Sequence, residues 1–331
     1  ERAGNAVYPK IYIEDLREEL KARNYSIFSR KLDELMRDRL EKKEQIMLFL
    51  NRRGFAGFVS CRQCGEVVGC PHCSVALKPH MAGDRVSYLM CHYCGYKMPM
   101  PDKCPECGSP YISSFGIGTE QVEQMVKKRF SAAKVLRMDA DTTTGKNAHQ
   151  DILKKYSGGD ADILIGTQMI VKGHDFANVT LVGILAADLS LNVGDYLAAE
   201  KTFQLTTQAC GRAGRADKPG DVVIQTYQPE HYSIVCAARN DYKSFYEQEI
   251  LIREMLQYPP ISNILGVLVL SENESSADNL AKILADKMKL YHDVTVLGPT
   301  PAAIAKAKDV YRRMVYGKCT DYKILCSVKN S

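Results

Sequence analysis

Asp162-Ile-Leu-Ile-Gly-Thr-Gln-Met-Ile-Val-Lys-Gly-His-Asp-Phe176 decides how the rest of the chain is read. Its first part, Asp162–Gly166, reads as a strand around Ile163-Leu-Ile165, as does Ile46–Leu50, whose continuous apolar run is the pattern of a strand buried on both faces. The remainder is polar and glycine-bearing, and sits where a strand hands over to the next element. Ile46–Leu50, Val135–Met138 and Thr180–Ala186 are further strand-length apolar runs. Helical patterns lie between them. Leu32, Leu35, Met36, the stem of Arg39 and Leu40 fall at helical spacing behind Ser29, a good N-cap. Val122, Met125, Val126 and Phe130 form a second stripe behind Gly118-Thr-Glu120, with Thr119 as its expected cap, and His149–Tyr156 is a third helix. Alternating strands and helices with short loops predict a parallel sheet covered on both faces. Glu1–Lys10 shows no periodicity, and Pro9 argues against helix there. Asn51-Arg-Arg-Gly-Phe55 is expected at the carboxyl end of the first strand, the edge where open α/β sheets meet ligands.

Beyond Asp241 the rhythm changes. A helix is expected over Tyr242–Tyr258, a strand over Ile264–Leu270 and a helix over Ser275–Tyr291. Strands follow near Val294–Leu297, Tyr311–Tyr316 and Lys323–Val328. This is an α+β unit. Its tail is basic: between Ala305 and Ser331 seven Lys and Arg face two Asp, an excess that is either a solvated face or a nucleic-acid contact.

A cysteine-rich stretch interrupts the α/β pattern. Eight of the 12 cysteines form the pairs Cys61/Cys64, Cys70/Cys73, Cys91/Cys94 and Cys104/Cys107. A Cys-x-x-Cys hook aims two thiolates at one ion, and the glycines after Cys64, Cys94 and Cys107 permit the tight turn. Four hooks make two tetrahedral sites, for which Zn²⁺ is the default ion. Iron–sulfur clusters lack their usual ligand run here, and a thioredoxin-like redox pair needs one hook rather than four. Only five residues separate Cys64 from Cys70, which favours a nested order: Cys61, Cys64, Cys104 and Cys107 outside, and Cys70, Cys73, Cys91 and Cys94 inside. Interleaved pairing is the alternative. His72, His80 and His92 read as bystanders. The stretch has almost no apolar core, so its folding energy is expected to come from metal binding.

Gln208-Ala-Cys-Gly-Arg-Ala-Gly-Arg215 carries two guanidiniums on a glycine-spaced segment that opens or lies on a helix. Guanidinium is a permanent planar cation that grips phosphate in a fork; the bland reading is a solvated basic helix. No Gly-x-x-x-x-Gly-Lys-[Ser/Thr] cradle accompanies it, since Gly145-Lys146 lacks the leading glycine and is followed by Asn147. No Asp-Glu box closes an apolar strand either. These arginines read as half of a nucleotide site.

At 331 residues, 45% hydrophobic and 25% charged, the chain is long enough for two or three domains and is neither collagenous nor disordered. No apolar run approaches the roughly 20 residues that span a bilayer, and no signal peptide opens the chain. The net charge of +5 permits a polyanionic partner. A chain opening on Glu1 rather than Met is expected of a piece of something longer.

Gly166–Phe176 resembles motif V, and Gln208–Arg215 motif VI, of superfamily 2 helicases. Phe49-Leu-Asn-Arg-Arg-Gly-Phe55, the paired cysteines, Phe115-Gly-Ile-Gly-Thr-Glu120, Arg137-Met-Asp139, Gly166-Thr-Gln-Met169 with Lys172-Gly-His174, and Thr207–Arg215 together resemble the PriA family of primosomal replication-restart helicases. Tyr258-Pro-Pro260 and Leu297-Gly-Pro-Thr-Pro301 resemble that family's C-terminal domain. Cys210, Ala140 and Leu197 depart from it, standing where alanine, arginine and arginine are common; none removes a charge assigned to catalysis.

The resemblance implies a RecA-like second helicase lobe with an inserted two-zinc Cys-rich module and a C-terminal α+β domain. The expected boundaries are 1–60 for the start of the lobe, 61–112 for the module, 113–230 for the rest of the lobe and 231–331 for a truncated DNA-binding domain. A DNA-end-binding domain and a first lobe with the P-loop would precede Glu1. Arg212 and Arg215 would reach the γ-phosphate, oriented by Gln208, with Gly173, Asp175 and Gly211 beside the nucleotide. For Asp175, bonding to motif VI or the ribose stands against a simple N-cap. Lys172, Thr167 and Gln168 would follow the DNA track, and Arg52 and Arg53 the strand backbone. ATP and Mg²⁺ would bind only with the missing lobe, so this chain alone is expected to hydrolyse none. The implied partners are single-stranded and forked DNA, other primosome proteins, single-stranded DNA-binding protein and replicative helicase loading factors. No membrane is implied, and the implied location is the bacterial cytoplasm at the nucleoid. The rival from another class is a non-enzymatic zinc-ribbon adaptor on an α/β scaffold, which has no use for the arginine pair.

Overall fold

The computed structural model describes residues 8–50, 58–73, 75–82, 85–115, 118–139, 142–143, 147–171, 176–191, 195–214 and 218–331. The chain divides into two compact units. The first comprises Glu1–Glu66, Lys103–Val193 and Leu197–Phe245; the second comprises Val67–Asp102, Gly194–Tyr196 and Tyr246–Ser331.

The first unit is built on a six-stranded sheet. Across it the strands run Lys10–Asp15, Asp221–Thr226, Val179–Leu185, Gln45–Leu50, Ile163–Gly166 and Val135–Met138, every neighbouring pair parallel. The apolar runs that announced the central strands are buried throughout, as a sheet covered on both faces requires. Arg30–Glu41 lies on one face behind its Ser29 cap, which accepts from the Leu32 N–H at 3.2 Å. It packs so tightly that a Cβ on Gly183 would lie 2.8 Å from Leu48 and 3.0 Å from Leu32. Tyr156, wholly buried, donates its hydroxyl to the Ile46 carbonyl at 2.8 Å and meets Phe176 edge-on. Phe58–Cys61 and Ile112–Phe115 form a separate antiparallel pair.

Some expectations need correcting. Lys10–Asp15 and Asp221–Thr226 are strands without counterpart in the sequence reading. Thr119 does not cap its helix; Gly118 holds that position, while the Thr119 hydroxyl donates to Asp139 at 2.5 Å. Met125, placed on the apolar stripe, is exposed.

The second unit holds two antiparallel sheets. One is Lys78–Ala82, Arg85–Met90 and Lys97–Pro99. The other sets Val310–Cys319 between Asn263–Ser271 and Thr295–Ala307. Helix Glu274–Lys289 lies on this second sheet through Ala277, Ala281 and Ala285, a stripe of small side chains at four-residue spacing. The expected strand at Lys323–Val328 is instead helix Tyr322–Asn330, capped by Asp321. Leu325 and Val328, three residues apart, share its buried face. The cysteine-rich stretch also has more apolar core than expected, since Val68, Val75, Leu77, Leu89 and Met90 are buried. No helix among the described residues is long and apolar enough to cross a membrane.

Candidate functional site

The eight paired thiols gather into two groups, Cys61, Cys64, Cys104 and Cys107 in the first unit and Cys70, Cys73, Cys91 and Cys94 in the second. This is the nested order. Within each group all sulfurs lie within 4.8 Å of one another. Measured edges are 3.7 Å for Cys61–Cys107, 3.6 Å for Cys64–Cys104 and 3.5 Å for Cys70–Cys94. A tetrahedron with zinc–sulfur bonds of about 2.3 Å has edges of about 3.8 Å, so the donor set and its size fit zinc. Bound there, the ion would supply a cross-link between distant hooks. His72, His80 and His92 stand outside both groups. His80 stacks on Tyr88 at 4.7 Å, and His92 bonds the Pro301 carbonyl through Nδ1 at 3.1 Å.

Three of the four hooks are closed by a backbone hydrogen bond donated by a glycine. Gly65, Gly95 and Gly108 donate back to the carbonyls of Cys61, Cys91 and Cys104 at 2.9, 3.0 and 2.9 Å. All three sit at positive φ, 83°, 80° and 69°, where a side chain is strained. Further N–H groups point at sulfur: Gln63 to Cys61 and Tyr93 to Cys91, both at 3.4 Å. The Cys91 thiol is pulled down to about 5, chiefly by hydrogen bonding from Cys73 and then, against burial, by the N–H groups of Cys94 and Tyr93. Burial pushes Cys70 up to about 11.

The two groups rest on different seats. In the first unit Arg17 holds Asp15 through Nη2 at 2.7 Å and Glu230 at 3.1 Å, and reaches the Cys64 carbonyl at 3.5 Å. Asp188, fully buried, accepts from the Thr226 hydroxyl at 2.7 Å and the Tyr227 N–H at 2.9 Å. That fixes Tyr227, whose carbonyl faces Gly65. In the second unit Tyr258 donates to the Cys73 carbonyl at 3.4 Å and stacks on Tyr196 at 4.9 Å. Neither seat is legible as a motif, although Tyr258-Pro-Pro260 stood out by resemblance.

The motif residues occupy both edges of the six-stranded sheet. Thr167, buried, follows the last residue of strand Ile163–Gly166, and Gln168 is exposed at the start of the short helix Gln168–Val171. Gly166 is required there, because a Cβ would lie 2.4 Å from Ile170 and 2.7 Å from the Met138 carbonyl. Phe176, the last residue of the block, lies at the opposite edge, where its carbonyl accepts from the N–H of Val179, the first residue of the next strand. Lys172, Gly173 and Asp175 lie outside the described residues, as do Arg52, Arg53 and Arg215. Gln208 is exposed in the last turn of helix Ala198–Cys210, Gly211 is its C-cap, and half-buried Arg212 follows. The segment therefore closes a helix rather than opening one, so any phosphate grip comes from guanidinium and not from a helix N-terminus. Gly214 donates to the Val179 carbonyl at 3.0 Å, which puts the arginine turn at the amino edge of the strands. A Cβ on Gly214 would meet the Gly220 nitrogen at 2.5 Å, so the glycine spacing serves a close backbone approach.

Comparison with known families accounts for this combination. Residues 112–217 match the helicase conserved C-terminal domain, 70–99 the PriA DNA helicase Cys-rich region domain, and 254–330 the primosomal protein N C-terminal domain. The replication restart protein PriA of Bacillus subtilis is 47% identical over 313 residues, 94% of this chain and 38% of the relative. That of a Synechocystis species is 43% identical over 94% of this chain and 38% of the relative, and that of Haemophilus influenzae 37% identical over 94% and 42%. The chain thus spans less than half the length of these relatives. A RecA-like helicase C-terminal lobe, a zinc-ribbon Cys-rich region and a primosomal C-terminal domain in one chain leave one conclusion: it belongs to the PriA family of replication restart proteins.

Proposed function

We propose that this chain forms the second motor lobe, zinc-bearing module and DNA-binding C-terminal domain of an ATP-dependent 3′-to-5′ DNA helicase that restarts replication at forked DNA. One observation carries the reading. The first motif block opens at the carboxyl edge of one parallel sheet, and helix Ala198–Cys210, which packs against Gln168–Val171, ends in the arginine turn at the amino edge. A lobe built this way links a DNA contact at the carboxyl edge to a phosphate contact at the amino edge.

In this reading Arg212 and Arg215, with Gln208 beside them, meet the γ-phosphate of ATP held by a first lobe, and stabilise charge on the transferring group. Gly173, Gly211 and Asp175 line the nucleotide side. Thr167, Gln168 and Lys172 follow the DNA backbone, with Arg52 and Arg53 as further contacts. Closing and opening of the lobes then steps the motor along one strand. The eight thiols hold two zinc ions that fix the shape of the Cys-rich region. Forked DNA and other primosome proteins are the partners this reading assigns.

The test is Arg212→Ala in the full-length protein. DNA-stimulated ATP turnover is expected to fall by about 10³-fold or more, with fork binding retained. Turnover that stays at the wild-type rate removes the arginine-finger role, and an unaltered full-length protein with no DNA-stimulated turnover would favour the adaptor reading.

A further inference from the structure

Lys318 lies on strand Val310–Cys319 with its side chain half-buried in the second unit. Its ammonium sits 3.6 Å from the centre of the Tyr258 ring and donates to the Leu256 carbonyl at 3.2 Å. Among the described residues no carboxylate is paired with it. Asp195 acts on Tyr93 and Tyr316 instead. Lys97 and Lys306 also rest on tyrosine rings, Tyr88 and Tyr311, but both are open to water. A half-buried ammonium is unfavourable unless an anion or a π-face offsets the lost hydration, and one ring contact with one carbonyl is a thin offset.

The same ring reaches an inner hook. Tyr258 bonds the Cys73 carbonyl through its hydroxyl while Lys318 lies over its ring, so one side chain touches both the ammonium and an inner hook. Four thiolates around one divalent zinc leave two negative charges in excess. We propose that Lys318 is the counter-cation of the inner metal centre, slowing release of its ion by offsetting that excess from behind Tyr258.

The outer group provides the contrast. Arg17, which reaches the Cys64 carbonyl of that group, is already engaged by the carboxylates of Asp15 and Glu230. Arg17 therefore anchors the outer hook by hydrogen bonding but adds little free positive charge, whereas no carboxylate among the described residues neutralises Lys318.

This inference rests on the inner thiols holding a metal. Metal content settles that premise first: a freshly purified 331-residue chain carrying two zinc ions, and one in a Cys91→Ser variant, satisfies it. A chain that carries no ion at the inner thiols removes premise and inference together. Zinc release to a chromophoric chelator is then followed in time, with the inner step identified by its absence in Cys91→Ser. In Lys318→Met, which keeps the stem and loses the charge, the inner step should run about tenfold faster, the size of a lost outer-shell partner, with the outer step unchanged. Lys318→Arg should restore the wild-type rate. An unchanged inner step in Lys318→Met overturns the proposal, as does equal acceleration of both steps. An arginine variant as fast as the methionine one also overturns it, by assigning Lys318 to packing.

Discussion

Gly65 and the Tyr227 carbonyl are so close that a Cβ on the glycine would lie 2.5 Å from the oxygen. Gly65 also stands at φ 83°. The hook of the outer metal group is thus pressed against backbone that the buried Asp188 carboxylate holds in place. Gly108, the equivalent glycine of the partner hook, has φ 69° and nothing within 4 Å of its missing side chain. Gly108→Ala should cost about 1–2 kcal/mol, the penalty of the left-handed backbone alone. Gly65→Ala should cost about 1–3 kcal/mol more, because the clash adds to it. Denaturant unfolding of the two variants checks this; equal losses would mean that the outer hook is not seated on Tyr227.

Metal removal should act locally. The hook hydrogen bonds donated by Gly65, Gly95 and Gly108 depend on folded thiol groups, whereas strand Gln45–Leu50 is buried in an apolar core. Chelation is expected to speed amide exchange at the hooks and leave Gln45–Leu50 and Val179–Leu185 protected. Loss of protection in those strands at the same chelator concentration would show one cooperative unit instead.

Arg39 and Lys218 both touch Glu44, yet their removal should differ. Arg39 is buried and pairs with Asp221 and Glu44, themselves largely covered. Arg39→Ala strands Asp221 and leaves Glu44 with Lys218 and Thr180 alone, and should cost about 3–5 kcal/mol. Lys218 is half exposed, 3.3 Å from Glu44, and Lys218→Ala should cost less than about 1 kcal/mol. Urea midpoints at matched m-values decide it, and similar losses would refute the difference in burial as the cause.

The Asp139 carboxyl gives a pH dependence of known sign. Burial raises it, but the Thr119 hydroxyl, the Thr142 N–H and the Arg137 guanidinium outweigh burial and hold it below the ordinary carboxylate range. The folded chain then binds fewer protons here than the unfolded one, so the contribution is complete well above about pH 4 and fades as pH falls through the folded value. Asp139→Asn should be less stable at neutral pH and lose less on acidification. A variant whose stability falls as steeply with acid as the wild type would contradict this assignment.

Sequence reading succeeded where a local pattern is dictated by a local cause. Ile46–Leu50 and Thr180–Ala186 are apolar because both faces of the sheet are covered there, and the thiol groups follow from the short gap between Cys64 and Cys70. Lys10–Asp15 escaped because it is an edge strand, paired on one side and half-buried, so its charged residues hide the period. Lys323–Val328 misled because Ile324 and Val328 suit a strand, while the three-residue step from Leu325 to Val328 and the Asp321 cap belong to a helix. The seats of the metal groups left no local trace: Tyr258 and Cys73 are 185 residues apart, and Arg17 and Cys64 are 47. Gly166 and Gly214 looked like motif signatures and prove to be places where only hydrogen fits.

The two units interleave along the chain, since Val67–Asp102 leaves the first between Glu66 and Lys103 and returns. Cys61, Cys64, Cys104 and Cys107 stand at that departure and return. An ion on them would be a clasp around a detour, closing a loop with Cys64 and Cys104 40 residues apart. Chain entropy values such a closure at about 4 kcal/mol, with only a weak dependence on loop length. The lobe is therefore indifferent to what the detour contains. Sequence could be gained or lost between the clasped ends over evolutionary time while the sheet, the arginine turn and their register stayed as they are.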